Sequence, residues 1–473
     1  MKAMKSKWLA LFLTVIMAFT LLPSVVFAEN ANAGVAKIGD QTYDSVAKAI
    51  TAAGSNVTTI ELTQSVSEDV TIPQGANITL HIPEGITLTN KTGHTITNNG
   101  TLTVTGTGTV DNVTHAKGAL VNNGTAILEG ATFTRSKEAS TSATSSGGNS
   151  WYVIDNHGTM TITGTANVVN NGYFSSLIRN IGTANAASSL TVSGNATLRQ
   201  DNFIALKNDD YGNVAITGGT ITSNEQAIQN WSQAAISGGT LNGQVITWSY
   251  EGFASATEIS GNAVVNGNVV AVNYDGGTSI PSVTIKGGTI TGEISKATYH
   301  NGLQPAAPNE TSSSIVVSGG TFSNAVDSNF FADNFYLHQN PDGSYSVHEH
   351  NMVMKYDAEN HWYECSVCGE KADVSAHTFG EWNVTKEATE TEVGSKEKVC
   401  SICGHKVVEE IPATGTVSST PTEEMTNETT TSNVNSENPQ TGENSYVFLG
   451  VALLCLSGAG LVGTFIFRKK YSK

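Results

Sequence analysis

The chain is poor in cysteine and in basic residues, and both shortages limit what it can be. Only five cysteines occur in 473 residues, and none precedes Cys365. Everything before that position must therefore fold without disulfide bonds. Lysine and arginine together number 24 against 41 acidic residues, which gives a formal net charge of −17. A surface this acidic repels nucleic acid and anionic lipid, so neither is expected as a partner.

What the chain has in abundance is one short repeated motif. An aliphatic residue, a variable residue and a glycine recur nine times, with the first glycines of successive copies 20 to 34 residues apart. A constant core with variable spacing is typical of a solenoid. A series of small β-sandwiches is the alternative, but there are no long linkers between the copies. The copies begin at Val104, Leu128, Ile162, Val192, Ile216, Ile236, Ile259, Ile285 and Val317.

The residues around each copy indicate the kind of solenoid. Near Leu102 and Val104, apolar residues alternate with threonine, which predicts strands with aliphatic side chains inward and threonine outward. Asparagine suits corners between strands and could form ladders along the axis. This style of repeat resembles the right-handed parallel β-helix of the pectate-lyase-like superfamily, which we expect over residues 91–338. Asparagines precede several copies, at Asn98, Asn122, Asn156 and Asn180.

Residues 1–28 have the pattern of a secretion signal. Three lysines precede an apolar run that ends in a small-residue cleavage site between Ala28 and Glu29. A retained signal anchor is the alternative. Export would place the rest of the chain outside the cytoplasm.

Residues 29–90 are predicted to form an N-terminal α/β cap and the first coils. Val46, Ala49, Ile50 and Ala53 share one face of a short helix, and Gly54 stands where a C-cap belongs. Strand-like runs follow, and a solenoid end needs such a cover for its apolar rungs. A helix followed by strands resembles the start of exported β-helix proteins of Gram-positive anaerobes. The runs are Val57–Leu62, Val70–Ile72, Ile78–His81 and Ile86–Thr89.

Lyases and hydrolases on this fold work in a groove lined by aspartate with arginine, lysine or histidine, and the inserts of this chain contain groups of this kind. The best cluster contains paired carboxylates that could act as acid and base or bind calcium. The chain lacks the Gly-His-Gly, Arg-Ile-Lys and Asn-Thr-Asp motifs of polygalacturonase-like enzymes. Solvated turn residues are therefore the preferred interpretation, and no catalytic residue is predicted. The cluster comprises Asp201, Lys207, Asn208, Asp209 and Asp210.

Aromatic residues near the rung ends are candidates for contact with glycans. The faces of Trp151, Tyr173, Trp231 and Trp248 could stack on sugar rings. Core filling or packing of the inserts is an equally good interpretation of each residue taken singly.

The chemistry changes over residues 347–412. Two Cys-x-x-Cys-Gly motifs, one at Cys365 and Cys368 and one at Cys400 and Cys403, have the spacing with which two thiolates share a tetrahedral ion. Two local disulfides, or one long-range disulfide, are the alternative outside the cell. Histidines surround the pairs, which favours structural zinc, with His350, His361, His377 and His405 as further candidate ligands.

The segment resembles the paired zinc-ribbon-like repeats at the C-terminus of clostridial surface proteins, in which His-Trp precedes Cys-x-x-Cys-Gly. His361-Trp362 matches that pattern. The resemblance implies that His361, with His377 or His350, completes the site at Cys365. Glu390 stands where another cysteine is expected, so the site at Cys400 is predicted to be weaker, with His405 as a helper.

Residues 413–437 contain scarcely an apolar side chain and are predicted to be a disordered spacer. A sorting signal is predicted for residues 438–473. It begins with Asn438, Pro439, Gln440, Thr441 and Gly442, continues as an uncharged apolar segment at 446–467, and ends in a basic tail. A simple tail anchor is the alternative.

These three parts resemble the cell-wall sorting signal that sortases process. The resemblance implies that a sortase cysteine attacks the Thr441 carbonyl, releases Gly442 onward and passes the chain to peptidoglycan. The membrane is then contacted only transiently, through the C-terminal helix.

The sequence as a whole indicates a secreted protein attached to the cell wall of a Gram-positive bacterium. We expect a non-catalytic β-helix that presents a binding surface to host or plant glycans or matrix. A polysaccharide lyase or glycoside hydrolase on the same scaffold is the runner-up, and a purely structural stalk is a third alternative.

Overall fold

The computed structural model describes residues 34–415, apart from 138–150, 171, 174, 251, 275–278, 300–304 and 307–312. The chain divides into two compact units. The first runs to Asn351 and includes 366–368, and the second comprises 352–365 and the chain from Gly369. The predicted signal peptide, the sorting motif, the transmembrane segment and nearly all of the spacer lie outside the described residues. Within the described part, no helix has the length and apolar character needed to cross a membrane.

The first unit is a parallel β-solenoid of about nine turns, of the right-handed type and with almost no helix. This confirms the fold class expected from the repeat. Its helix α1 covers Val46–Ala53. Its strands are β1 (Ala36–Ile38), β2 (Gln41–Tyr43), β3 (Val57–Leu62), β4 (Val66–Ser67), β5 (Val70–Ile72), β6 (Asn77–Ile82), β7 (Thr87–Thr89), β8 (Ile96–Asn98), β9 (Thr101–Gly106), β10 (Thr109–Asp111), β11 (Leu120–Asn122), β12 (Thr125–Leu128), β13 (Thr132–Thr134), β14 (Ile154–Asn156), β15 (Thr159–Ile162), β16 (Asn167–Asn170), β17 (Ile178–Asn180), β18 (Ser188–Val192), β19 (Thr197–Gln200), β20 (Leu206–Asn208), β21 (Gly212–Asn230), β22 (Gln233–Ser249), β23 (Ala256–Ile259), β24 (Val264–Asn266), β25 (Val269–Tyr274), β26 (Ser282–Ile290), β27 (Ile294–Tyr299), β28 (Pro305–Ala306), β29 (Ser314–Phe322), β30 (Phe335–Gln339) and β31 (Tyr345–Glu349).

Three strands per turn build three faces of parallel strands. The first face contains β6, β9, β12, β15 and β18, the second contains β7, β10, β13, β16 and β19, and the third contains β5, β8, β11, β14, β17 and β20. Strand β21 then runs round the corners and pairs with β18, β19 and β20 in turn. The parallel ladder already begins between β3 and β6. The predicted cap segment therefore supplies the first coil, as expected.

The core follows the alternation read from the sequence. Leu102 and Val104 are fully buried, whereas Thr103 between them is only partly buried. In register with them on the first face lie Ala126 and Leu128 of the next turn. Every turn adds a similar layer of aliphatic side chains, so apolar burial along the whole axis stabilises the solenoid.

A ladder of asparagine side chains runs through the third face. Six asparagines at equivalent positions are buried, and the Nδ2 of each of the first five donates to the Oδ1 of the next, at 2.7 or 2.8 Å. Each amide also donates to at least one backbone carbonyl, so the buried polar groups are satisfied. The sequence indicated four of these asparagines, and the stacking of turns in the structure shows that two more belong to the ladder. The ladder contains Asn98, Asn122, Asn156, Asn180, Asn208 and Asn230.

Glycine stands two residues after four of the ladder asparagines, and close backbone approach requires it there. A Cβ added to Gly124 would collide with the carbonyl oxygen of Gly100, and one added to Gly158 would collide with that of Gly124. The repeated Asn-x-Gly signature is therefore a consequence of stacking as well as of local turn geometry.

The N-terminal end is closed by α1, as predicted. Val46, Ala49, Ile50 and Ala53 are buried. Ser45 caps the helix, its Oγ accepting from the Lys48 N–H at 3.1 Å. The link between β4 and β5 supplies a second cap, because Glu68 accepts the amides of Val46 and Ala47 at 2.9 and 2.8 Å.

The C-terminal end is closed by a short 3-10 helix, Ser328–Phe330, and the β30–β31 hairpin. Phe330 is buried, and Phe331 and Phe335 pack against the core. Tyr336 is 47% exposed and stacks on His350 with ring centroids 4.2 Å apart. Alternation along β30 turns this ring away from the core.

The second unit contains two three-stranded antiparallel sheets. The first consists of β32 (Met352–Tyr356), β33 (Asn360–Cys365) and β34 (Lys371–Ala376), and the second of β35 (Asn383–Lys386), β36 (Gly394–Val399) and β37 (Lys406–Ile411). Neither sheet has an apolar core. Among the described residues of this unit, the buried side chains are those of His361, Cys365 and Cys400.

Candidate metal centre

The second Cys-x-x-Cys motif forms a tight turn between β36 and β37. The Gly404 N–H donates to the Cys400 carbonyl at 3.0 Å, and the Cys400 N–H donates to the His405 carbonyl at 2.8 Å. Gly404 has φ of 78°, a conformation that favours glycine, which accounts for the residue after the second cysteine. The turn brings both sulfurs to the same side of the second sheet.

Two histidines from the other half of the unit face these sulfurs. One ligand atom from each of His361, His377, Cys400 and Cys403 lies within 4.8 Å of the others. His361 belongs to β33, and His377 follows β34. The residues around the second motif therefore form a group that could hold a metal ion.

His361 contributes a buried ring with one unpaired nitrogen. The residue is 4% exposed, and its Nε2 lies 3.2 Å from the Ser375 hydroxyl. Among the described residues, its Nδ1 has no hydrogen-bond partner. A buried nitrogen without a partner costs free energy unless something binds it, and a metal ion would do so.

His377 is held in one orientation by its surroundings. Its Nε2 lies 3.0 Å from the Asp357 carbonyl, to which an Nε2–H can donate, and its Nδ1 lies 3.4 Å from the Cys403 sulfur. A hydrogen bond of this kind on one ring nitrogen frees the other to bind a metal. The Asp357 carbonyl is also the largest cause that raises the pKa of His377.

The surroundings of Cys400 lower the pKa of its thiol. Burial acts to raise its pKa, but the backbone N–H groups of Cys403 and Ile402 and the side chain of His377 outweigh burial and lower that pKa to about 6. A thiolate is the form in which cysteine binds metal, so the environment favours binding at neutral pH.

The first motif has its own histidines. In the first unit, ligand atoms of His348, His350 and Cys368 lie within 4.8 Å of one another, with the Cys368 sulfur 3.9 Å from the Nε2 of His350. The turn that contains Cys368 begins at Cys365, whose carbonyl accepts the Gly369 N–H at 2.9 Å.

The structure thus groups the predicted ligands differently from the sequence interpretation. His361 and His377 were assigned to Cys365, but they lie with Cys400 and Cys403. The reason is topological, because antiparallel pairing of β32, β33 and β34 directs these histidines to the second motif. His405 belongs to neither group, and its ring instead stacks on that of His377, with centroids 4.6 Å apart. His348 is a member that sequence reasoning did not select as a ligand.

The aromatic candidates lie in two places on the solenoid. Trp231 and Trp248 come from adjacent turns and stack on each other, with ring centroids 5.2 Å apart. Tyr274 meets both edge to face, and Tyr250 meets Trp231 in the same way. All four rings are half-buried. One face of each indole is therefore covered by the other indole.

Tyr211 extends this aromatic cluster to the surface and was missed by sequence reasoning. Its ring is 41% exposed and meets Phe253 edge to face at 5.6 Å, and Phe253 stacks on Tyr250 at 4.8 Å. Its φ is 56°, and Tyr211 is the one aromatic residue with a positive φ in the described chain. A bulky side chain is strained in this conformation, and such strain is commonest at functional sites.

Trp151 lies elsewhere, in a group built around a buried ion pair. Asp155 is 1% exposed and binds the guanidinium of Arg179 at 2.7 and 2.8 Å, and that guanidinium lies 5.9 Å from the Trp151 ring. Burial acts to raise the pKa of Asp155, but His157 and Arg179 outweigh it and hold that pKa below its usual value. Tyr173, the fourth aromatic candidate for contact with glycans, is half-buried.

The acidic cluster considered for catalysis is occupied by structural contacts. Asp201 pairs with Arg199 at 2.7 Å and Asp209 pairs with Lys207 at 3.0 Å. Asp210 accepts the Tyr250 hydroxyl at 2.9 Å. Burial and Asp210 together raise the pKa of Tyr250 to about 12. Asn208 is a buried member of the ladder. This pattern fits the turn interpretation of the cluster.

No protein-family model matches this chain, and neither a curated protein nor a solved structure matches it significantly.

Proposed function

We propose that this chain is a peptidoglycan-anchored surface protein of a Gram-positive bacterium, whose non-catalytic β-helix binds glycans. The anchoring part rests on the order of three sequence elements: the motif from Asn438 to Gly442, the apolar segment 446–467 and the basic tail. The signal at residues 1–28 fits the same route. A sortase and the peptidoglycan precursor are the partners that this proposal requires.

The anchoring proposal predicts a covalent wall product. In the native host, the protein should resist hot detergent, be released by wall hydrolases and end at Thr441 joined to a wall fragment. Thr441→Ala should keep residues 446–467 and become extractable by detergent. Thr414→Ala is the matched control, since Ile411-Pro-Ala-Thr-Gly415 is a near match with no apolar segment behind it. A wild-type chain that mostly retains residues 446–467 would contradict the sortase proposal.

The glycan-binding part rests on Tyr211. An exposed ring in a strained conformation, backed by Phe253, Tyr250, Trp231 and Trp248, is an arrangement suited to stacking on a sugar. The paired carboxylates nearby, Asp209 and Asp210, offer acceptors for sugar hydroxyls. Because Trp231 and Trp248 pack on each other, we propose that the sugar contacts the outer edge of the cluster.

Tyr211→Gly tests this site at little net cost in folding, because glycine relieves the positive φ and this offsets the lost contact with Phe253. We expect the free energy of unfolding to change by no more than about 1 kcal/mol, and binding on a glycan array to fall at least tenfold. Tyr336→Ala, an exposed aromatic at the far end of the solenoid, is the control and should bind as the wild type does. Equal binding by Tyr211→Gly would contradict the assignment. Turnover in reducing-sugar or unsaturated-product assays would show an enzyme instead.

We further propose that the Cys/His groups hold structural zinc. Two thiolates and two imidazoles are a donor set that Zn²⁺ accepts tetrahedrally, with no position left for a substrate. At the second motif, His361 and His377 would supply the imidazoles. His361 is held by Ser375, and His377 by the Asp357 carbonyl.

A further inference from the structure

We infer that a metal ion bound by His361, His377, Cys400 and Cys403 holds the two sheets of the second unit together. This inference rests on the zinc proposal and goes beyond it, because it assigns the ligands across the sheets. His361 lies in β33 and His377 directly follows β34, whereas Cys400 and Cys403 lie in the turn between β36 and β37.

The burial pattern carries the argument. No aliphatic side chain of the second unit is buried among the described residues, and several are exposed: Val353 and Val374 in the first sheet by 42% and 59%, and Val384 and Val408 in the second by 44% and 61%. Apolar burial therefore contributes little to holding the sheets together. His361 in β33 and Cys400, which follows β36, are buried instead. Candidate metal ligands are therefore buried in this unit where a larger domain would bury apolar side chains.

Contacts between the segment that follows β34 and the turn that follows β36 gather round the same four residues. The ring of His377 stacks on that of His405, and the Ser401 N–H donates to the Thr378 carbonyl at 2.9 Å. Phe379 forms a β-bridge with Cys400. These few contacts orient the two sheets. Hydrogen bonds and ring stacking at a solvent-exposed surface each contribute little free energy, so metal binding would supply most of the free energy that holds the sheets together.

The test uses the full chain loaded with Zn²⁺ and measures alkylation of each cysteine by mass spectrometry. His377→Ala should increase the alkylation rate of Cys400 and Cys403 at least tenfold and leave Cys365 and Cys368 protected. His405→Ala is the matched control, because this ring stacks on His377 without belonging to the group, and it should retain the metal. The thermal transition of the β-helix should be unchanged in both variants, which shows that the chain is folded.

A second variant separates ligation from mere packing. His377→Cys should keep the ion, and its Co²⁺ form should gain sulfur-to-metal charge-transfer absorbance because another thiolate binds. If His377→Ala exposes Cys365 and Cys368 instead, or exposes no cysteine, the assignment across the sheets is overturned. A wild-type chain that binds no Zn²⁺ would overturn the zinc proposal itself, which is a different result.

Discussion

Asn156→Asp should lower the free energy of unfolding of the β-helix by about 3 kcal/mol or more at neutral pH, since buried polar groups left unpaired each cost about 1–3 kcal/mol. The substitution keeps the side-chain volume but removes the Nδ2 donor. That donor serves the Oδ1 of Asn180 at 2.7 Å and the Ser189 carbonyl at 3.0 Å. A carboxylate would face both acceptors in a fully buried position. Thermal unfolding of the full chain, with hydrogen exchange at neighbouring turns, measures the loss.

Asn123→Asp is the matched control for the ladder. Asn123 donates to Asn99 across the same two turns at 2.9 Å, but both residues are exposed, so the cost should stay under about 0.5 kcal/mol. The loss at Asn156 should also shrink as the pH falls. Burial raises the pKa of the new carboxyl in the folded state, so protonation stabilises the folded variant relative to the unfolded chain. Equal losses at the two positions, or a loss independent of pH, would contradict a stabilising ladder.

Chelation should have the other large effect, and it should be concentrated in the second unit. The free energy of binding structural zinc is about 10–16 kcal/mol in small metal-dependent modules, and in such modules it is also the free energy of folding. We expect a chelator added to the full chain to abolish amide protection in β32 to β37. The first unit contributes His348, His350 and Cys368 to one Cys/His group, but the described solenoid turns before β30 contain no cysteine, so the amide protection of those turns and the thermal midpoint of the β-helix should not change.

Native mass spectrometry without reductant provides the control for chelation. Zinc-loaded chain should lose its metal together with the protection of the second unit and regain both on addition of Zn²⁺. A metal-free chain lighter by two or four hydrogens than the reduced chain would show disulfides, and the zinc proposal would then be wrong. Unfolding of the β-helix on chelation would contradict its independence from the metal.

Much of the solenoid could be predicted because its structure repeats the local pattern. The alternation at Leu102, Thr103 and Val104 specifies which side chains enter the core, and the prediction of α1 was correct down to its four buried residues. Each strand pairs with the one a turn away, so a motif that returns also reports a long-range neighbour. The candidate glycan site was less predictable, because the strained φ of Tyr211 leaves no mark in composition or periodicity.

By itself, the sequence determined the parallel β-helix, the covered N-terminal end and the presence of Cys/His groups able to hold a metal. Each of these depends on residues near one another in the chain or on a regular repeat. Only the tertiary structure decided that Asn208 and Asn230 extend the ladder and that His361 and His377 face Cys400 rather than Cys365. The spacing of the cysteines in the sequence identifies the two ligands within one turn. Which histidines reach that turn depends on how the two small sheets pack, and no repeat in the sequence reports that packing.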